Sequence, residues 1–133
     1  MKYFTIEELS KTSTGIPNVP TEEHKRNLRL LVEKVLDPLR AMYGRPIYVN
    51  SGYRSPEVNK KVGGVANSMH LKGCAADITT KNRTYNLMLY YLLMWMATFD
   101  GMNVTKVINE KDGKWLHVEY VEGNTPNRFT ELP

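Results

Sequence analysis

The sequence is short of the side chains from which small stapled or catalytic sites are usually built. It holds one cysteine, Cys74, which cannot close an internal disulfide. A disulfide-stapled secreted scaffold and a thiolate-only zinc site are therefore both excluded. It holds three histidines, His24, His70 and His117, so any imidazole chemistry must draw on a very short roster. No run approaches the roughly 18 apolar residues of a membrane-spanning helix. The longest apolar patch, Leu87 to Ala97, is shorter and carries two adjacent tyrosines. The opening MKYFTIEELSK lacks the apolar core of a secretory signal. Synthesis in the cytoplasm is the expectation, and action at a cell wall would need another export route. Lys and Arg are scattered, with no basic run interleaved with aromatics, which argues against a nucleic-acid partner.

What is present is an ordinary globular balance. Of 133 residues, 41% are hydrophobic and 24% charged, which fits one folded domain spanning residues 1–133. The net charge of +4 gives at most a mild attraction to an anionic partner.

Thr5 followed by Glu8 predicts a short capped helix, and the turn-rich STGIPNVP an ordered loop. Thr21, with Glu22 and Glu23 behind it, starts a second helix, whose Leu28, Leu31, Val32, Val35, Leu36 and Leu39 recur at helical spacing. Pro38 predicts a kink or a register adjustment there. Pro46 to Val49 reads as a strand, and Ser55-Pro56 opens a short helix that stops at Gly63-Gly64. Cys74 to Thr79 reads as a strand and Thr84 to Ala97 as a long buried helix. Val104 to Glu110 and Trp115 to Val121 form a hairpin around Asp112-Gly113, and the polar tail is expected to be loop. The expected class is α+β, with a small antiparallel sheet and the helices packed on one face.

The chemistry concentrates in Ser68 to Asp77, SMHLKGCAAD. His70 is followed seven residues on by Asp77, and the small Gly73, Ala75 and Ala76 between them let the backbone pass close to a compact site. A second imidazole, His117, lies in WLHVE. Two histidines, an aspartate and a water make the tetrahedral set of a catalytic zinc. Spacing alone does not separate this from three unrelated surface polar residues. Strand alternation puts Asp77 with Ala75 and Thr79, and His117 with Trp115 and Glu119, on the face away from the apolar residues. His24, beside Glu22, Glu23 and Lys25, reads as a surface or capping residue, and Cys74 as a small buried hydrophobe.

SMHLKGCAAD matches the S-x-H-x-x-G-x-A-x-D signature of the zinc D-alanyl-D-alanine carboxypeptidase family, in the Hedgehog/DD-peptidase superfamily of metallopeptidases. SGYRSPEVNKKVGG resembles that family's Y-R-S segment and WLHVEY its terminal W-x-H strand. The resemblance runs from about Asn50 to Tyr120. It implies a Hedgehog/DD-peptidase-like fold, with Zn2+ held by His70, Asp77 and His117. It also implies substrate contact by Arg54, and a hydrogen-bonding role for Ser68.

Many relatives carry the general base three residues before the last ligand, and here that residue is Lys114. A subgroup carries it on the preceding hairpin strand, and Glu110 fits that arrangement. A turn at Asp112-Gly113 pairs Glu110 with Trp115 and Ile108 with His117, within diagonal reach of the metal ligands. Glu119, on the His117 face, is the competitor for the role, and Asp112 a third choice. Arg54 has the planar fork suited to a substrate carboxylate or an oxyanion. The resemblance implies a zinc metallopeptidase acting on peptidoglycan stem peptides, as a D-Ala-D-Ala carboxypeptidase or an endolysin-like L-Ala-D-Glu endopeptidase. No membrane partner is expected, and a monomer is. The compact form suits a phage-derived or lysis-associated enzyme. The alternative is an inactive zinc-containing binding module of the same superfamily, to which the loss of the acid at position 114 lends weight.

Overall fold

The computed structural model describes residues 1–133. Thr5 caps α1 (Ile6–Leu9) by accepting the Glu8 backbone N–H. Thr21 caps α2 (Glu22–Leu31) in a reciprocal box. Its hydroxyl accepts from the His24 backbone N–H, and His24 Nδ1 accepts from the Thr21 N–H. His24 thus has the capping role expected of it, and its ring also stacks on Tyr53 with centroids 4.6 Å apart.

The apolar stripe continues without a break through a wide π-turn (Val32–Leu36) into α3 (Asp37–Tyr43). Proline has no N–H and its ring collides with the carbonyl four residues back in a straight helix. The widened turn before Pro38 absorbs that conflict, which is the register adjustment the sequence predicts. Leu28, Leu31, Val32, Val35, Leu36 and Leu39 are all fully buried.

β1 (Tyr48–Ser51) begins two residues later than the Pro46 start expected from the sequence. α4 (Pro56–Lys61) is capped by Ser55 and followed by a 3-10 turn (Met69–Lys72). β2 (Ala75–Thr79) is buried along its whole length. α5 (Arg83–Phe99) is capped by Asn82 and runs slightly beyond the predicted span at both ends. β3 (Lys106–Glu110) and β4 (Trp115–Glu119) form the expected hairpin, pairing Glu110 with Trp115 and Ile108 with His117. The tail is not all loop. β5 (Arg128–Glu131) adds to the sheet parallel to β3. Its single large apolar residue, Phe129, packs edge-on against Tyr90, too little periodicity to announce a strand.

The sheet order is β1-β2-β4-β3-β5, antiparallel except for the last pair. Ala76, Ile78, Val107, Leu116 and Val118 face the helices and join Leu89, Leu93 and Met96 of α5 in one core. The opposite face of β2, β4 and β3 carries Asp77, His117, Glu119, Lys106 and Glu110, as alternation requires, while Asn109 is a buried polar residue on the core side. No helix is long and apolar enough to cross a membrane.

Asn86 of α5 ties the helix to the sheet ends. Its Nδ2 donates to the carbonyls of Gly113 and Lys114 at 2.9 and 3.1 Å, and its Oδ1 accepts from the Thr80 N–H at 2.7 Å. The residue is 1% exposed, so truncation leaves these groups without partners. Asn86→Ala is expected to cost about 2–4 kcal/mol, read as a lower urea midpoint at unchanged slope.

Candidate metal centre

β2 and β4 pair with Asp77 directly opposite His117. Opposed residues of an antiparallel pair share a face, and His117 Nδ1 lies 2.9 Å from Asp77 Oδ1. His70 reaches the same carboxylate from the 3-10 turn. Ser68 caps that turn, its hydroxyl accepting the His70 backbone N–H at 3.2 Å. The turn ends at Gly73, with φ of 75°, where a Cβ would meet the His24 carbonyl oxygen at 2.6 Å. Glycine alone makes this reversal without strain. It returns the chain into β2 so that His70 Nε2 stands 3.3 Å from Asp77 Oδ2. Donor atoms of His70, Asp77 and His117 all lie within 4.8 Å of one another.

Each imidazole is also held through its far nitrogen. His70 Nδ1–H donates to the Gly52 carbonyl at 2.7 Å. A carbonyl only accepts, so a proton sits on Nδ1 and Nε2 is the nitrogen that faces Asp77. His117 Nε2–H donates to Glu119 Oε2 at 2.7 Å, which turns Nδ1 toward Asp77. Gly52 reaches His70 because the loop presses on α1. A Cβ on Gly52 would meet the Leu9 carbonyl oxygen at 2.2 Å.

The electrostatics follow from burial and pairing. Burial alone would raise the Asp77 pKa, but hydrogen bonds from His117 and His70 outweigh it and hold the carboxyl well below the usual range. Burial disfavours the His117 imidazolium, yet Asp77 and Glu119 on its two nitrogens push it up to about 9. For Glu119, burial is again outweighed, chiefly by the His117 hydrogen bond, and its pKa is lowered. Burial pushes the Cys74 thiol up, consistent with an inert buried side chain.

Arg54 is drawn into the cluster. A bulge in β1 between Val49 and Ser51 sets Ser51 opposite Asp77. Arg54 Nε then donates to Ser51 Oγ at 2.9 Å, Nη1 to Asn59 Oδ1 at 3.2 Å and Nη2 to Asp77 Oδ2 at 3.3 Å. Gly64 is required for this, since a Cβ there would meet Asn59 Oδ1 at 2.0 Å. Burial lowers the Arg54 pKa and Asp77 partly restores it.

Ser68, Met69, Ile108, Glu110, His117 and Glu119 line an open cleft of about 420 Å³, which the cluster meets at His117. The Glu110 carboxylate makes no hydrogen bond or ion pair within the chain, whereas Glu119 is engaged by His117. Asp112 is paired with Arg83, and Lys114 lines a separate polar hollow at the hairpin end.

The family model described as Peptidase M15 matches residues 2–118. The chain belongs to the peptidase M15 family. A zinc D-Ala-D-Ala carboxypeptidase of Streptomyces albus G is 35% identical over 77 residues, 56% of this chain and 30% of that relative. The chain therefore spans under a third of that relative's length. The crystal structure of the Serratia marcescens L-Ala D-Glu endopeptidase ChiX aligns with a TM-score of 0.52 at 21% identity, covering 83% of this chain and 96% of that one. That likeness is one of fold, and it agrees with the α+β arrangement expected from the sequence.

Two imidazole nitrogens and a carboxylate oxygen are the donor set of a zinc site with an open position. Metal–ligand bonds of the usual length place tetrahedral donors about 3.3–3.4 Å apart. The 3.3 Å from His70 to one Asp77 oxygen matches that, the 2.9 Å from His117 to the other oxygen is shorter, and with one donor from each residue all within 4.8 Å these M15 residues fit such an ion.

Sequence reasoning missed the Gly52 carbonyl and the Ser51 and Asn59 supports of Arg54. A glycine beside a strand hints at close backbone approach, but a carbonyl's target is not written in residue types. Gly52→Ala forces the loop off α1 and is expected to lower stability by about 1–3 kcal/mol. It should also weaken metal binding, read by urea unfolding and by chelator competition.

Proposed function

We propose that the protein is a zinc-dependent metallopeptidase that hydrolyses peptide bonds in peptidoglycan stem peptides, acting as a single-domain monomer. The observation that carries this reading is the His70–Asp77–His117 cluster, whose His117 lines an open cleft, with both imidazoles oriented by second hydrogen bonds. One relative is a zinc D-Ala-D-Ala carboxypeptidase and one structural neighbour an L-Ala D-Glu endopeptidase, so a terminal and an internal stem bond are both candidate targets.

His70 Nε2, an Asp77 oxygen and His117 Nδ1 would hold the ion. Zinc bound there supplies Lewis acidity, polarising the scissile carbonyl and lowering the pKa of water to about 7. Glu110 is the free carboxylate of the cleft. In this reading one of its oxygens takes the proton of the attacking water and returns it to the leaving amine nitrogen. Arg54 has N–H groups beyond the three committed to Ser51, Asn59 and Asp77, and these would orient a substrate carboxylate or the developing oxyanion. Ser68 uses one acceptor lone pair on the His70 N–H, leaving its hydroxyl proton for substrate.

Purified muropeptides incubated with the zinc-loaded protein should give products that vanish with a chelator and return with zinc. Loss of terminal D-Ala assigns a carboxypeptidase, and separation of L-Ala from D-Glu an endopeptidase. Zinc bound without turnover would instead favour a binding module. Glu110→Gln should lower turnover by about 10²–10⁴-fold with zinc affinity unchanged, and a fully active variant would overturn the assignment of the base.

A further inference from the structure

Glu119 stands at the position where a second carboxylate competes with Glu110 for proton transfer. Its geometry fits another task. Glu119 Oε2 lies 2.7 Å from His117 Nε2, on the side of the ring away from Asp77. The side chain is 12% exposed and belongs to the same strand as the imidazole it contacts, two residues along on the same face. In a strand that spacing holds the two side chains side by side. Lys106 is its cross-strand partner and adds a cation that favours the ionised carboxylate.

The consequence concerns which nitrogen of His117 is presented. Left alone, a neutral imidazole carries its proton on either nitrogen, and the Nε2 tautomer is the one that leaves Nδ1 able to bind a cation. A carboxylate on Nε2 selects that tautomer, fixes the ring plane and makes the ligand nitrogen more basic. His70 is treated the same way with opposite polarity, its Nδ1 proton bound by Gly52 and its Nε2 presented. The two histidines thus turn different nitrogens toward one carboxylate, each set by its own acceptor. A carboxylate already hydrogen-bonded to a ring N–H is also poorly placed to collect a proton from water in the cleft, and Glu110 carries no such bond.

We propose that Glu119 is a positioning residue that fixes the tautomer and orientation of His117 for metal binding, and is not the general base. The inference rests on the zinc reading above. Zinc affinity is measured by competition with a chromophoric chelator for the wild type, Glu119→Ala, Glu119→Gln and Glu110→Gln, with circular dichroism confirming the fold of each. Glu119→Ala should bind zinc about 10–100-fold more weakly, and its cobalt-substituted form should show an altered visible spectrum. Glu119→Gln keeps an oxygen that accepts the Nε2 proton, and should recover most of the affinity and the spectrum. Equal affinity in Glu119→Ala and the wild type overturns the inference while leaving the metal site standing. Full zinc affinity in Glu119→Gln with turnover as low as in Glu110→Gln also overturns it, by making Glu119 the base. A wild type that binds no zinc removes the metallopeptidase reading and the inference together.

Discussion

Asp77 is an ionised carboxylate set in β2, an interior strand of the sheet, with 9% exposure, and the surrounding structure is organised around compensating it. An unpaired charge in that position would cost several kcal/mol. His117 meets one oxygen, while His70 and Arg54 share the other. These three partners come from three separate stretches of chain, the hairpin, the turn before β2 and the loop after β1. The same convergence that neutralises the carboxylate gathers the donor atoms of His70, Asp77 and His117 within 4.8 Å of one another.

Convergence of that kind requires backbone in unusual places, and the glycines supply it. Gly73 reverses the chain so that His70 faces the strand that follows it. Gly52 allows the loop to touch α1 while its carbonyl holds the His70 ring, and Gly64 leaves room for the Asn59 amide beneath Arg54. None of these residues carries chemistry itself. Each fixes the orientation of a side chain that does, so the reactive groups have few alternative conformations to lose when an ion or substrate arrives. The free carboxylate of Glu110 is the exception, and its lack of internal partners suits the proton transfer proposed for it.

Much of this was legible before the fold was seen. The helical stripe from Leu28 to Leu39, the disturbance at Pro38, the capping residues Thr5, Thr21 and Ser55, and the hairpin register about Asp112-Gly113 all follow from local rules. The helix stripe is read from periodicity, and the register from a turn of fixed length that leaves one pairing. β5 was not legible, because a strand with one large apolar residue is defined by the neighbour it pairs with. The start of β1 was misplaced for a similar reason. It begins where Tyr48 meets Thr79, the last residue of β2, so the partner strand sets the boundary.

The sequence by itself determined the cast of the site. With one cysteine and three histidines, a metal centre would need a carboxylate, and the family resemblance of the motifs around Gly73 and Trp115 pointed to His70, Asp77 and His117. Strand alternation determined which residues share the polar face. Only the tertiary structure decided the arrangement, because which atom faces which partner is set across the fold. It joined Arg54 to Asp77 through supports that no local pattern names. It also gave each histidine a different outer acceptor and set the two glutamates of the hairpin apart, one bonded to a ligand ring and one open to the cleft. Residue type fixes what a group can donate or accept, while distance and angle between segments far apart in sequence fix what it does.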